Sequence, residues 1–246
     1  MRHGLLALLA LLGSTTHLAA QGPRLVVTPR IGSVSPTTLF EHIRSQPSVE
    51  GEVTSTERLQ VGRTTTLGGQ VSLRLLGPWR VYGEVGYGGS SYTHLNRSEW
   101  GTLISEETAG GSTATTTFAL GVGRQLRLGA GAPFLDLTVG GALQRLHVGD
   151  LPSTCPDLPP SSGFVPSCRA RRWERRYNVP GVVSGLTVGQ HLTRHVGIQV
   201  GATYALGRAN TENFWAPLRP EFQYLEAPKS YTVRTTQLSA GVALSL

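Results

Sequence analysis

The last sixteen residues, YTVRTTQLSAGVALSL, form a dyad-repeat strand that runs to the final residue. Leu238, Ala240, Val242, Leu244 and Leu246 share one face; Gln237, Ser239, Gly241, Ala243 and Ser245 share the other. A period of two is that of a β-strand. A membrane barrel needs a closing strand of this kind, because in lipid every backbone group must find a partner and no sheet edge can stay bare.

The chain opens MRHGLLALLALLGSTTHLAAQ: a basic start at Arg2 and His3, an apolar run from Leu5 to Leu12, and a small-residue exit at Ala19-Ala20. That is the layout of a secretory signal over residues 1–20, leaving 21–246 as one domain. The run is too short to span a bilayer as a helix, which needs ~20 apolar residues. No later segment offers a spanning helix either. Charged residues make up 15% of the chain and glycines number 31, which favours β-structure over a long helix or a disordered chain.

Seven further alternating segments precede the last. RLVVTPRIG sets Leu25, Val27 and Ile31 against Val26, Thr28 and Arg30, with Pro29 awkward for a central strand. TTTLGGQVSLRLL, RVYGEVGYG, TTTFALGVGRQL, FLDLTVGGALQRL, GVVSGLTVGQHL and HVGIQVGATYAL follow. Long segments near 34–62, 89–112, 147–178 and 207–230 alternate with short turns near Gly77-Pro78, 128–133 and Thr193-Arg194. The expected fold is all-β: an eight-stranded antiparallel up-and-down transmembrane β-barrel, both termini at the short-turn end. A soluble barrel binding a hydrophobic ligand shares the period and would turn the apolar face inward. The other face here carries Gly, Ser, Thr, Gln and single charges, which suits a narrow polar lumen. Tyr87, Tyr177, Tyr204 and Tyr231 towards the long loops, with Trp79 and Phe134 towards the turns, suggest two interfacial girdles.

The signal, the GPRLVVTPRIG opening strand, the Gly-rich alternating segments and the terminal AGVALSL together resemble the eight-stranded outer-membrane proteins related to the OmpA transmembrane domain and to OmpX or OmpW. The resemblance implies the cell outer membrane and insertion by its assembly machinery, which reads the last strand. That strand usually ends in an aromatic residue; here it ends in Leu246.

Arg30, Arg74, Arg80, Glu84 and Asp136 are expected to face the lumen with Gln70, Gln144, Gln199 and Gln237. A buried charge is costly unless paired, so arginine pairs with Glu84 and Asp136 are predicted to cross the lumen as a polar plug. Cys155 and Cys168, an even pair in an exported chain, predict one disulfide closing the third loop. Arg169, Arg171, Arg172, Arg175 and Arg176 follow directly, with Trp173 and Tyr177. Arginine forks match phosphate, so lipopolysaccharide is the expected partner of this run, or else it is an ordinary solvated loop. Nucleic acid has the wrong compartment, despite a net charge of +7.

His42, His94, His147, His191 and His195 stand in no arrangement with a nucleophile or paired acid that would mark an enzyme. No metal-ligand spacing appears and no cofactor is expected. The functional expectation is a monomeric surface-interactive or structural barrel presenting four extracellular loops, the alternative being a small channel or transporter.

Overall fold

The computed structural model describes residues 25–48, 51–75, 77–127, 133–151, 173–210 and 230–246. The signal segment, both cysteines, and Arg169, Arg171 and Arg172 lie outside them; of Arg175 only the backbone is described.

Among the described residues every regular element is a strand: β1 Leu25–Val34, β2 Thr37–Ser48, β3 Gly51–Val61, β4 Thr64–Arg74, β5 Trp79–Trp100, β6 Leu103–Arg127, β7 Phe134–Leu151, β8 Trp173–His191, β9 Val196–Asn210 and β10 Ser230–Ser245. Eight close a ring, β1-β4-β5-β6-β7-β8-β9-β10 and back to β1, each pair antiparallel. At the closing seam Leu246 N donates to Leu25 O at 3.0 Å, so the final residue does satisfy an edge group of the first strand.

The register fixes the ring's geometry. From Ser35, whose N donates to Thr236 O, the partners run Thr236–Tyr204, Tyr204–Ser184, Ser184–Val139, Val139–Val122, Val122–Val81, Val81–Leu73 and Leu73–Leu25. One circuit from Ser35 thus returns to β1 at Leu25, ten residues lower. Such a shear tilts eight strands by about 40° to the axis, enough for side chains to fill the interior.

Two of the long segments continue the barrel beyond its apolar band. β2 and β3 prolong β1 and β4 past breaks at Ser35-Pro36 and Gly62-Arg63, pair with each other, and place β3 against the upper half of β5. β5 and β6 run up together to a tight turn at Gly101, whose φ of +56° is the left-handed conformation that glycine adopts without penalty. A wall of hydrogen-bonded strands therefore rises from one side of the ring.

Within the band the apolar faces point outward: Ile31, Leu67, Leu120, Val139, Val182, Val200 and Leu238 are each more than half exposed. Their inward neighbours Thr28, Gln70, Ser72, Asp136, Thr187 and Gln199 are buried. That is the inverse of a soluble barrel, and it removes the reading in which a dry apolar core binds a hydrophobic ligand at this level.

The girdles are thinner than the sequence suggests. Tyr87 and Tyr204 do face outward, but Tyr177 and Phe134 are buried inside and Tyr231 packs against inward apolar residues. Three inward rings lie over glycines directly opposite on the next strand: Tyr82 over Gly121, Tyr92 over Gly111 and Phe134 over Gly189. A Cβ on these glycines would come within 2.8, 2.6 and 2.3 Å of the rings. Glycine is thus the notch into which each ring fits.

Candidate functional site: a lumen of two layers

The lower layer is polar and charged. Arg30 Nη1 reaches Glu84 Oε2 at 3.0 Å while its Nη2 donates to Gln70 Oε1 at 2.6 Å. Arg80 Nη1 meets Asp136 Oδ2 at 3.1 Å. Gln144 donates to Thr235 Oγ1 at 2.9 Å, and Gln237 to Thr66 Oγ1 at 3.2 Å. The pairs do not cross the lumen, as the sequence reading has them. Each spans a single intervening strand, Arg30–Glu84 from β1 to β5 over β4, and Arg80–Asp136 from β5 to β7 over β6. The reason is reach: side chains two strands apart on one inner wall are nearer than those on opposite walls.

Arg74 stands apart from both pairs. Its Nε donates to Gly77 O at 2.8 Å in the turn below, and it lines the lower mouth beside Arg80, Arg127 and His191.

The upper layer reverses the pattern. Leu39, Phe40, Leu59, Val61, Tyr92, Leu146, Val148, Tyr177, Val179, Ala209 and Val233 form one buried apolar cluster inside the barrel's upper half, with Tyr231 against it. Above the apolar band the outside meets water, so apolar residues turn inward and the barrel acquires an ordinary core. A bulge between Thr38 and Phe40 lets Leu39 and Phe40 both be buried although they are consecutive. This cluster is the feature that sequence reasoning missed. Its sources on β2 and β3 sit in a stretch dominated by polar residues, where the bulge breaks the alternation that would have marked a strand.

At the cluster's edge His94 Nε2 holds Glu57 Oε1 at 2.8 Å. The Tyr231 ring sits 5.7 Å from that of Phe40, and its hydroxyl is buried with no hydrogen bond among the described residues. Burial pushes the Tyr231 phenol up to about 12, with the Glu57 carboxylate adding to the shift. Between the two layers a cavity of about 60 Å³ is lined by Arg30, Gln70, Glu84, Gln144 and Leu146, among others. It has room for a few waters. Among the described residues no three of His, Cys, Asp or Glu are placed to hold a metal ion.

A closed eight-stranded ring, an apolar exterior and a polar lower lumen together define the class: a transmembrane β-barrel of the outer-membrane type. The chain is similar, at low identity, to several solved outer-membrane proteins. Outer membrane protein OprG from Pseudomonas aeruginosa is 10% identical over 92% of this chain and 96% of its own, with a TM-score of 0.48. Neisserial surface protein A is 12% identical over 90% and 97%, with a TM-score of 0.45. Outer membrane protein AlkL is 10% identical over 95% and 94%, with a TM-score of 0.43. No protein-family model matches the chain, and no curated protein matches it in sequence.

Proposed function

We propose that this chain is a plugged outer-membrane barrel that acts through its extracellular wall and not through its lumen. The observation that carries the reading is the stacking of two different seals. A paired charge layer occupies the lower lumen and an apolar cluster the upper, with about 60 Å³ of cavity between them. A hydrated ion would have to break ion pairs and then cross an apolar layer, each of which costs desolvation free energy. Outside, the β2–β3 and β5–β6 hairpins carry mixed charges: Arg58 pairs with Glu41, and Arg97 with Glu99 at 2.6 Å. This is a rigid polar surface, suited to envelope stabilisation or to contact with a partner, reached through assembly by the machinery that reads the terminal strand. The full mature chain, refolded into a planar bilayer, is expected to show heat-modifiable migration on gels and no conductance. Discrete conductance steps would overturn the plug and make the chain a small channel.

A further inference from the structure

The register reveals a grouping that lies far apart in sequence. A row of directly opposed residues falls ten residues in one circuit of eight strands, so positions at one height climb by about 1.25 residues per strand from β10 towards β7. Arg234 on β10 opposes Leu206 on β9, and Arg208 stands two positions above Leu206, where about 1.25 is level. Leu206 opposes Val182 on β8. Four positions above Val182 is Asn178, which opposes Arg145 on β7, where about 3.75 is level. In the other direction Gln237 opposes Val34, and Val34 opposes Thr64. Arg63, next above Thr64, lies two positions below the row of Arg234, where about 2.5 is level. The four arginines therefore share one height to within about a residue, or ~3 Å.

All four are exposed and on the outward face. Lipid-facing Leu67, Phe118, Leu206 and Leu238 lie just beneath them. Arg58 and Arg97, higher on the wall, have carboxylate partners; these four have none among the described residues. The Arg145 guanidinium rests 5.9 Å from the Phe118 ring centre, and Arg208 Nε donates to Ser230 Oγ at 2.6 Å, leaving its terminal nitrogens free to bind. At this height no described outward position carries a carboxylate; the other strands offer Ser35, Gly89, Thr116 and Asn178. Like charges ringed at the edge of a low-dielectric band repel unless an anion sits among them. The anions at that depth are lipid phosphates, and guanidinium forks match phosphate oxygens two at a time.

We propose that Arg63, Arg145, Arg208 and Arg234 form a girdle that binds the phosphate groups of outer-leaflet lipopolysaccharide. The girdle rests on the chain's place in the outer membrane and is independent of whether its lumen conducts. It differs from the basic third loop, of which Arg176 stands exposed higher on β8.

The test uses the full mature chain in detergent micelles, titrated with fluorescently labelled lipopolysaccharide, with the same glycolipid stripped of its phosphates, and with phosphatidylglycerol vesicles. Replacing all four arginines by glutamine is expected to weaken lipopolysaccharide binding roughly tenfold or more, and removing the phosphates to weaken wild-type binding similarly. Arg58→Gln with Arg97→Gln should leave it unchanged. Should the fourfold variant lack heat-modifiable migration, Arg208→Gln with Arg234→Gln carries the same comparison at a smaller size. Undiminished binding by the variants, indifference to phosphate removal, or equal affinity for phosphatidylglycerol would each overturn the assignment.

Discussion

Arg30 on β1 and Glu84 on β5 meet at 3.0 Å over Gln70, which belongs to the strand between them and accepts a second bond from the same guanidinium. Three strands are thereby tied by one side chain. Both partners are largely buried, with 8% and 15% of their side chains exposed, so neither charge can be left alone cheaply. Arg30→Met is expected to destabilise the barrel by about 3 kcal/mol, and the double variant Arg30→Met with Glu84→Gln to recover part of that loss. Urea unfolding in micelles, followed by tryptophan fluorescence, measures both. Equal losses in the single and double variants would show that the pair acts merely as filler.

The upper apolar cluster is expected to be the tighter seal. Leu59 has 0% of its surface exposed and Tyr92 2%. Leu59→Ser together with Tyr92→Ala should open a wet path through that layer and raise bilayer conductance above the wild-type baseline. Arg30→Met alone should not. If both variants stay silent, the lumen has another barrier.

The ring-over-glycine contacts predict a steep size dependence. A Cβ on Gly121 would lie 2.2 Å from the Val139 carbonyl oxygen and 2.8 Å from the Tyr82 ring. Gly121→Val should therefore abolish heat-modifiable migration, whereas Tyr82→Ala should fold at a cost of about 3–5 kcal/mol. Gly86, with nothing within 4 Å of an added Cβ, is the control: Gly86→Ala should behave as wild type.

Tyr231 gives the pH test. Its phenol is raised from 10.0 to about 12 in the folded barrel. Below pH 10 both folded and unfolded chains hold the proton. Between pH 10 and 12 the unfolded phenol ionises and the folded one does not, so stability falls as pH rises through that window. Absorbance at alkaline pH should lose a late-titrating tyrosine component in Tyr231→Phe. The same substitution should flatten the alkaline loss of stability.

The eight membrane crossings and the direction of their faces were legible from period-two alternation, because lipid outside and polar lumen inside write opposite chemistry onto adjacent residues. Arg30, Arg80, Glu84 and Asp136 were placed on the inner face for the same reason. Their partners were not, since choosing which arginine meets which acid requires register. Arg74 reads like the others by parity, yet a turn carbonyl at 2.8 Å claims its Nε. The β2–β3 wall escaped because one bulge shifts the phase, and a shift of one residue exchanges the two faces of a strand.

Alternation along one strand is local, so the sequence by itself determined the eight membrane crossings, their faces and the alternation of long and short connections between them. Height around the barrel is not local: it depends on a shear of ten accumulated over the whole ring. Only the closed tertiary structure could bring Arg63, Arg145, Arg208 and Arg234 to one level, and gather apolar residues from seven strands into the upper seal.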